Sequence, residues 1–471
     1  MMKRIALVAS ILFLAVSAAY AQPKYVFFFI GDGMGVNQVH MTESYLASIE
    51  GELGVKPLTF STFPVATMAT HYSANSNVTD SAASGTALST GVKTKNSRIG
   101  MNAEGTENIV NMAEMAKRDG KKVAVISTCN ANHATPGAFV AHQKQRYYYY
   151  GIMQDMIANG FDFYGGGGLY CENELHDKTP AEPIRPQFEA AGYTICSASD
   201  YSEHRDRAKK ILMLPGEGEG VTYRIEREAN APERKSDHIL LKDMVSSAVD
   251  FMMKDGGKKG FFMMAEGGMI DYACHSNDAA TAINEIIDFD EAVQVAVEFY
   301  KKHPKQTLIV VTADHETGGL TLDPKNASKL ALLSNQKHSE NRISDMLKEK
   351  LVASDGKLSW EETKEFLSEQ LGLWSVIPMK WEDEKALRDI YESTIALRKS
   401  DSVQDLYSTN FKLVSKAVDI LGRKAGVHWS TNNHSSGYVP VYVMGNGAGQ
   451  FTHRTDNAEI ARTIIKVAQY K

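Results

Sequence analysis

Asp32, Ser81, Asp271 and Asp314 each stand where chemistry is possible, beside short apolar runs or among glycines and other small residues. Tyr25–Ile30 runs into Gly31-Asp32-Gly33-Met34-Gly35. A carboxylate at the end of a buried strand, flanked by glycines that allow close approach, suits a metal ligand. Taken alone, the same loop is equally a plain strand-to-helix turn. Leu308–Val311 runs into Thr312-Ala313-Asp314-His315-Glu316-Thr317-Gly318-Gly319, where the adjacent Asp and His can face one metal if the backbone turns there. Phe261–Ala265 runs into Glu266-Gly267-Gly268-Met269-Ile270-Asp271-Tyr272-Ala273-Cys274-His275. Asp271 and His275 are four apart, so one helical turn puts both within reach of one zinc. Glu266 can serve a second, harder cation through oxygen, and a solvated helix start is the plain alternative.

Ser81 belongs to Val78-Thr79-Asp80-Ser81-Ala82-Ala83-Ser84-Gly85-Thr86-Ala87. So many small residues let a helix pack tightly on a sheet. They also place Ser81 at a helix N-terminus, where backbone N–H groups favour an anion. A serine hydroxyl beside a divalent metal loses its proton readily and becomes a nucleophile.

These residues need a scaffold that brings strand ends together. Tyr25–Ile30, Val123–Ile126, Phe261–Ala265, Leu308–Val311 and Val439–Met444 read as fully buried strands, and Glu107–Arg118 and Asp290–Tyr300 as helices between them. Strand and helix alternating in this way predict an α/β fold: a three-layer αβα sandwich with a large, mainly parallel central sheet. In such sheets ligand sites collect at the carboxyl ends of the strands. From about 326 to 423 the pattern changes to dense charge with helical apolar spacing, and Ser359 with Glu362 fits a capping box. This stretch reads as a helical insertion that packs on or caps the sheet. Asp355-Gly356-Lys357-Leu358 with Glu362 resembles the back half of an EF-hand loop, but Leu351 and Ala353 would fill ligand positions and cannot serve.

The chain has 471 residues, enough for one large α/β domain, and 43% hydrophobic residues exclude wholesale disorder. Its net charge of −6 argues against a nucleic-acid binder that relies on bulk positive charge. Lys3 and Arg4, the apolar run Ile5 to Val16, and Ala19-Tyr20-Ala21 form a signal peptide over 1–21 with cleavage expected after Ala21. No Cys lies near that point to carry a lipid, and no later run is long enough to span a bilayer, so a periplasmic or secreted protein without a membrane anchor is expected. The four cysteines allow three full pairings, of which Cys171 with Cys196 is preferred for their nearness in sequence; Cys129 reads as buried. Gly165–Gly168 lacks the spacing of a nucleotide fingerprint and reads as a strand-end turn, and Tyr147–Tyr150 offers rings that can stack on a substrate, with packing or a subunit interface as the preferred reading.

Taken together and in this order, the motifs resemble the alkaline phosphatase family over most of the chain outside the insertion. The resemblance rests on Gly31–Gly35, Thr79-Asp80-Ser81-Ala82-Ala83-Ser84, Glu266-Gly267-Gly268-Met269-Ile270-Asp271, Thr312–His315 and Trp429-Ser430-Thr431-Asn432-Asn433-His434. It implies Ser81 as a nucleophile that becomes a phosphoserine, and Arg146 as a bidentate phosphate clamp. It implies a first zinc on Asp271, His275 and His434, and a second on Asp32, Asp314 and His315. It implies magnesium on Asp32, His133, Thr135 and Glu266. His133 stands where some members have Asp, and Tyr272 where they have Lys, so another divalent metal can compete for the third site. The resemblance further implies a homodimer that hydrolyses small phosphate monoesters. Two alternatives remain at this stage: a phosphodiesterase of the same superfamily, and a non-catalytic metal- or phosphate-binding protein. A sulfatase is disfavoured because Ala82-Ala83-Ser84 follows Ser81.

Overall fold

A computed structural model describes residues 22–215, 222–229, 240–323, 327–396 and 403–471 of the chain. The expected signal peptide, 1–21, lies outside the described residues. In chain order the strands are β1 (Tyr25–Gly31), β2 (Val65–Thr70), β3 (Lys122–Ser127), β4 (Phe163–Gly165), β5 (Tyr193–Cys196), β6 (Lys210–Met213) and β7 (Phe261–Gly267). There follow β8 (Thr307–Ala313), β9 (Glu316–Thr317), β10 (Leu320–Leu322), β11 (Val427–Trp429), β12 (His434–Ser435), β13 (Val439–Gly445) and β14 (Thr455–Asp456). Ten of them build one sheet in the order β14-β2-β13-β8-β1-β7-β3-β4-β6-β5. Every pairing is parallel except those of β13, which runs antiparallel to both β8 and β2.

The central strands β1, β7 and β8 are buried along their whole length. Strands covered on both faces need no polar alternation, which is why each reads as an unbroken apolar run. Alternate side chains of β1 meet the two covering layers. Tyr25, Phe27 and Phe29 pack edge-on against Phe299, Phe299 and Phe289 of the long helix Ala279–Lys302, while Phe28 points the other way onto Phe139. Burying each such ring contributes about 1.5–3 kcal/mol, and each edge-on pair about 0.5–1.5 more. Helices therefore flank the sheet on both faces, as the sandwich reading requires.

Several boundaries differ from the sequence reading. The expected helix Glu107–Arg118 forms only from Met112 to Arg118. Asn111 stops it, because its side-chain oxygen accepts the Ala113 and Glu114 amides, both at 3.0 Å, while Glu114 returns a bond to the Asn111 amide at 2.9 Å. Glu107 instead closes a turn, its carbonyl taking the Asn102 amide at 3.0 Å. Asp290–Tyr300 is the second half of Ala279–Lys302. No disulfide joins Cys171 to Cys196; all four cysteines are free. Cys196 is packed into the core at the end of β5, whereas Cys171 sits on a loop with a left-handed backbone. Gly165–Gly168 is a strand-end turn, its Gly166 and Gly167 amides donating to Met213 and Cys129 carbonyls.

Between β10 and β11 the chain passes through helices Glu340–Ala353, Trp360–Leu371, Trp381–Tyr391 and Val403–Ala425, preceded by a 3-10 segment Ala327–Asn335. Asp278, the N-cap of the long sheet-covering helix, ties this region to the body. Its carboxylate accepts from Gln336 at 2.9 Å and from the Glu340 amide at 2.8 Å. Ser359 and Glu362 form the expected capping box, which occupies the carboxylate that the EF-hand comparison would have used.

Replacing Asn111 by Ala removes both cap bonds. It is expected to lower the unfolding free energy by about 1 kcal/mol in a denaturant titration, with Asn111→Asp retaining most of it.

Candidate active site

The pairing register brings the chemistry to one level. Gly31 of β1 lies opposite Gly267 of β7 and Ala313 of β8. Asp32 and Asp314 therefore leave the sheet side by side, and Glu266, opposite Ile30, lies two positions further back on β7. Gly33 makes the turn possible. Its φ is +74°, and a Cβ there would stand 2.9 Å from Asp271 Oδ1 and 3.0 Å from Thr317 Oγ1.

Three groups of side chains result, the ligand-type atoms of each lying within 4.8 Å of one another: Asp32, Asp314 and His315; Asp271, His275 and His434; and Asp32, His133 and Glu266. In the first, His315 Nε2 is 3.4 Å from Asp32 Oδ1 and 3.2 Å from Asp314 Oδ2. In the second, His275 Nε2 is 3.2 Å from Asp271 Oδ2 and 3.1 Å from His434 Nε2. His434 Nδ1 lies 2.9 Å from the Thr79 carbonyl, and His275 Nδ1 contacts the Asn432 carbonyl. A carbonyl only accepts, so both Nδ1 atoms carry a proton, and this turns both Nε2 atoms inward, toward each other and toward Asp271. Two ring nitrogens and a carboxylate converging in this way form a donor set for a cation.

The carboxylates tell the same story. Asp32 Oδ1 and Oδ2, Asp314 Oδ2, Glu266 Oε1, Thr135 Oγ1 and His133 Nδ1 are all buried without a hydrogen-bond partner. Burial, then the neighbouring carboxylates, push the pKa values of Asp32 and Asp314 well above the usual range. Burial likewise takes Glu266 up to about 7, although Ser127 donates to it. For Asp271 burial works in the opposite sense to the outcome, and the hydrogen bond from His275 holds its carboxyl below the usual range. His133 is pushed down to about 3 by burial and then by Arg146, so its ring is neutral and available as a ligand. Crowded buried oxygens with neutral imidazoles are a donor set suited to divalent cations.

Ser81 opens the wholly buried helix Ser81–Thr90, and its Oγ is 3.2 Å from His315 Nε2. Arg146 faces the same space, its Nη1 3.3 Å from Asp80 Oδ2 and its Nη2 3.1 Å from His133 Nε2. All the residues singled out in the sequence thus meet at one end of the sheet, with Thr135 beside the third group. His428, six residues before His434, lies apart from them on β11, 3.8 Å from Asp323.

The family description "Alkaline phosphatase" matches residues 23–178 and 186–470. The chain belongs to the alkaline phosphatase family. Alkaline phosphatase 4 of Bacillus subtilis is 30% identical over 466 residues, covering 95% of this chain and 89% of that protein. The cold-active alkaline phosphatase of the psychrophile Shewanella sp. is 26% identical with a TM-score of 0.74, over 94% of this chain and 99% of that one. A His-to-Asp variant of TAB5 alkaline phosphatase, described with Mg bound in its M3 site, is 25% identical with a TM-score of 0.65, over 96% of this chain and 99% of that one.

Within this alkaline phosphatase, two supporting residues escaped the sequence reading. Asp80 caps the Ser81 helix through Oδ1, which accepts the Ala83 amide at 3.0 Å, while Oδ2 holds Arg146 and accepts the Ser97 amide at 2.9 Å. Its place just before a run of small residues is an N-cap signal that could have found it. Thr317 Oγ1 donates to Asp271 Oδ1 at 2.6 Å and lies 3.2 Å from His315 Nδ1, linking two of the three groups. No local signal marks it.

Gly33→Ala should leave the far-UV spectrum intact but lower kcat/KM on a phosphate monoester by on the order of 100-fold, the scale expected when reacting groups move by about 1 Å.

Proposed function

We propose that the protein hydrolyses phosphate monoesters through a phosphoserine at Ser81, releasing alcohol and inorganic phosphate. The observation that carries this reading is the position of Ser81 Oγ, at a helix N-terminus and 3.2 Å from His315, with the Arg146 guanidinium held by the neighbouring Asp80. Asp271, His275 and His434 would hold one zinc, Asp32, Asp314 and His315 a second, and Asp32, His133, Thr135 and Glu266 a magnesium. When bound, such cations supply Lewis acidity that lowers the pKa of the serine hydroxyl and of water and offsets charge on the leaving oxygen.

The chain's own residues do the rest. Arg146 presents a planar fork to two phosphoryl oxygens, held in aim by Asp80 and His133. Ser81 Oγ gives up its proton to solvent and attacks phosphorus as the ester oxygen leaves with its electron pair and takes up a proton from water, so the step is proton-neutral overall. Water then attacks the phosphoserine, and the P–O bond to Ser81 breaks to return the hydroxyl. The helix N-terminus stabilises the negative charge throughout. His133 adds a nitrogen to an otherwise oxygen-only third group, so a transition metal competes with magnesium there; the TAB5 variant with Mg in its M3 site supports a harder cation once such a histidine becomes aspartate.

The signal-peptide pattern supports a periplasmic or secreted location, and no helix among the described residues is long and apolar enough to cross a membrane. Light scattering on the purified protein tests the homodimer that the family resemblance implies.

Hydrolysis of p-nitrophenyl phosphate and of its bis ester, side by side at pH 8 to 10, tests the activity. Metal-stripped protein should be inactive, and zinc with magnesium should restore fast monoester turnover with little diester activity. Diester preference would overturn the monoesterase reading. Ser81→Ala should lose at least about 1,000-fold in kcat while its zinc content by atomic emission stays at the wild-type value. Wild-type turnover in that variant would remove Ser81 as the nucleophile.

A further inference from the structure

The side of the site next to Arg146 is built of aromatic rings. Tyr272 meets the His133 ring edge-on, with centroids 6.0 Å apart, and Tyr170 flanks the same ring at 6.4 Å. Tyr149 packs on Tyr170 at 4.9 Å. His133 is in turn 3.1 Å from Arg146 Nη2, so the rings begin at the phosphate clamp itself. Exposure rises along this wall, from 7% at His133 to 26% for the Arg146 side chain and 36% at Tyr170. The rings thus run from the buried His133, beside Arg146, out to solvent.

A buried side chain ties two of these tyrosines to the site. The Asn132 amide oxygen accepts the Tyr170 N–H at 2.9 Å, and its amide nitrogen faces the Tyr170 carbonyl at 2.9 Å and the Tyr149 carbonyl at 3.4 Å. Asn132 has no exposed surface and immediately precedes His133. Its hydrogen-bonding capacity is thereby spent on keying the backbones of two wall tyrosines to the loop that carries His133. A pair of tyrosines that merely filled surface would not need such a register. Rings fixed in this way lose little freedom when a ligand ring lies against them, and a tyrosine face recognises a flat π-system by offset or edge-on stacking rather than by apolar area alone.

We propose that Tyr170, with Tyr149 and Tyr272 behind it, forms a leaving-group subsite that selects phosphate monoesters of aromatic alcohols and of nucleobase-bearing alcohols over aliphatic ones. This rests on the monoesterase reading above. The contact is made by the departing group before the phosphoserine forms, so it raises kcat/KM for the aromatic ester. Because the contact is already present in the bound ground state, most of its effect falls on KM.

Benzyl phosphate and cyclohexylmethyl phosphate test it. Both release a primary alcohol and carry a six-membered ring, so they differ mainly in the π-face, and the aliphatic ring is the more hydrophobic of the two. Wild-type enzyme is expected to prefer the benzyl ester by about 3- to 10-fold in kcat/KM. Tyr170→Leu should bring that ratio close to one, and Tyr170→Phe should keep it. The pair adenosine 5′-monophosphate and ribose 5-phosphate should show the same order. A wild-type ratio at or below one, or a preference unchanged in Tyr170→Leu, overturns the subsite while leaving the monoesterase reading standing. Failure of wild-type, zinc-loaded enzyme to hydrolyse either ester overturns that reading and the subsite with it.

Discussion

Three parallel strands ending at the same height force carboxylates together, and the rest of the site answers that constraint. Because Gly31, Gly267 and Ala313 are opposite one another, Asp32, Glu266 and Asp314 emerge into one buried space with Asp271 close by. Burial first, and then the repulsion of like charges in a poorly polarisable interior, raise the pKa values of Asp32 and Asp314. Such an arrangement works against folding unless something offsets it. The covered aromatic core on both faces of β1 supplies the rigidity that holds the carboxylates in place. Neutral imidazoles and unpartnered oxygens then leave divalent cations as the chemically fitting counter-charge.

Shared anchors turn separate strand-end motifs into one machine. A single carboxylate, Asp80, both caps the helix that begins at Ser81 and holds Arg146, so nucleophile and clamp cannot move independently. One hydroxyl, Thr317, touches Asp271 and His315 and couples two metal-type groups. One amide, Asn132, keys the Tyr170 and Tyr149 backbones to the His133 loop. Each anchor has its hydrogen-bonding capacity divided between partners on different elements. That geometry resists the small displacements to which in-line phosphoryl transfer is sensitive.

Much of this was legible in the chain. Unbroken apolar runs announced β1, β3, β7 and β8, because strands buried on both faces have no reason to alternate; β13 was announced in the same way, but its Tyr442 and Met444 are only half-buried. The residues following three of those runs were the ones with metal-binding chemistry. Reading failed where a local pattern was ambiguous. The apparent helix from Glu107 yields to Asn111, whose side chain caps a shorter one. Short strands such as β4, with only Phe163–Gly165, exist because neighbours offer backbone partners, not because their own residues insist on it. The Cys171–Cys196 pairing drew on nearness along the chain, which says nothing about how two side chains are directed in space.

The amino-acid sequence by itself determined the kind of fold and the kinds of atom available at the strand ends, since burial pattern and side-chain chemistry are properties of short segments. Only the tertiary structure decided which of those atoms share one space. That depends on strand register and on hydrogen bonds such as Asp80 to Arg146 and Thr317 to Asp271, which join residues 66 and 46 positions apart. No segment can encode such distances alone, because they arise when the whole sheet closes around its buried strands.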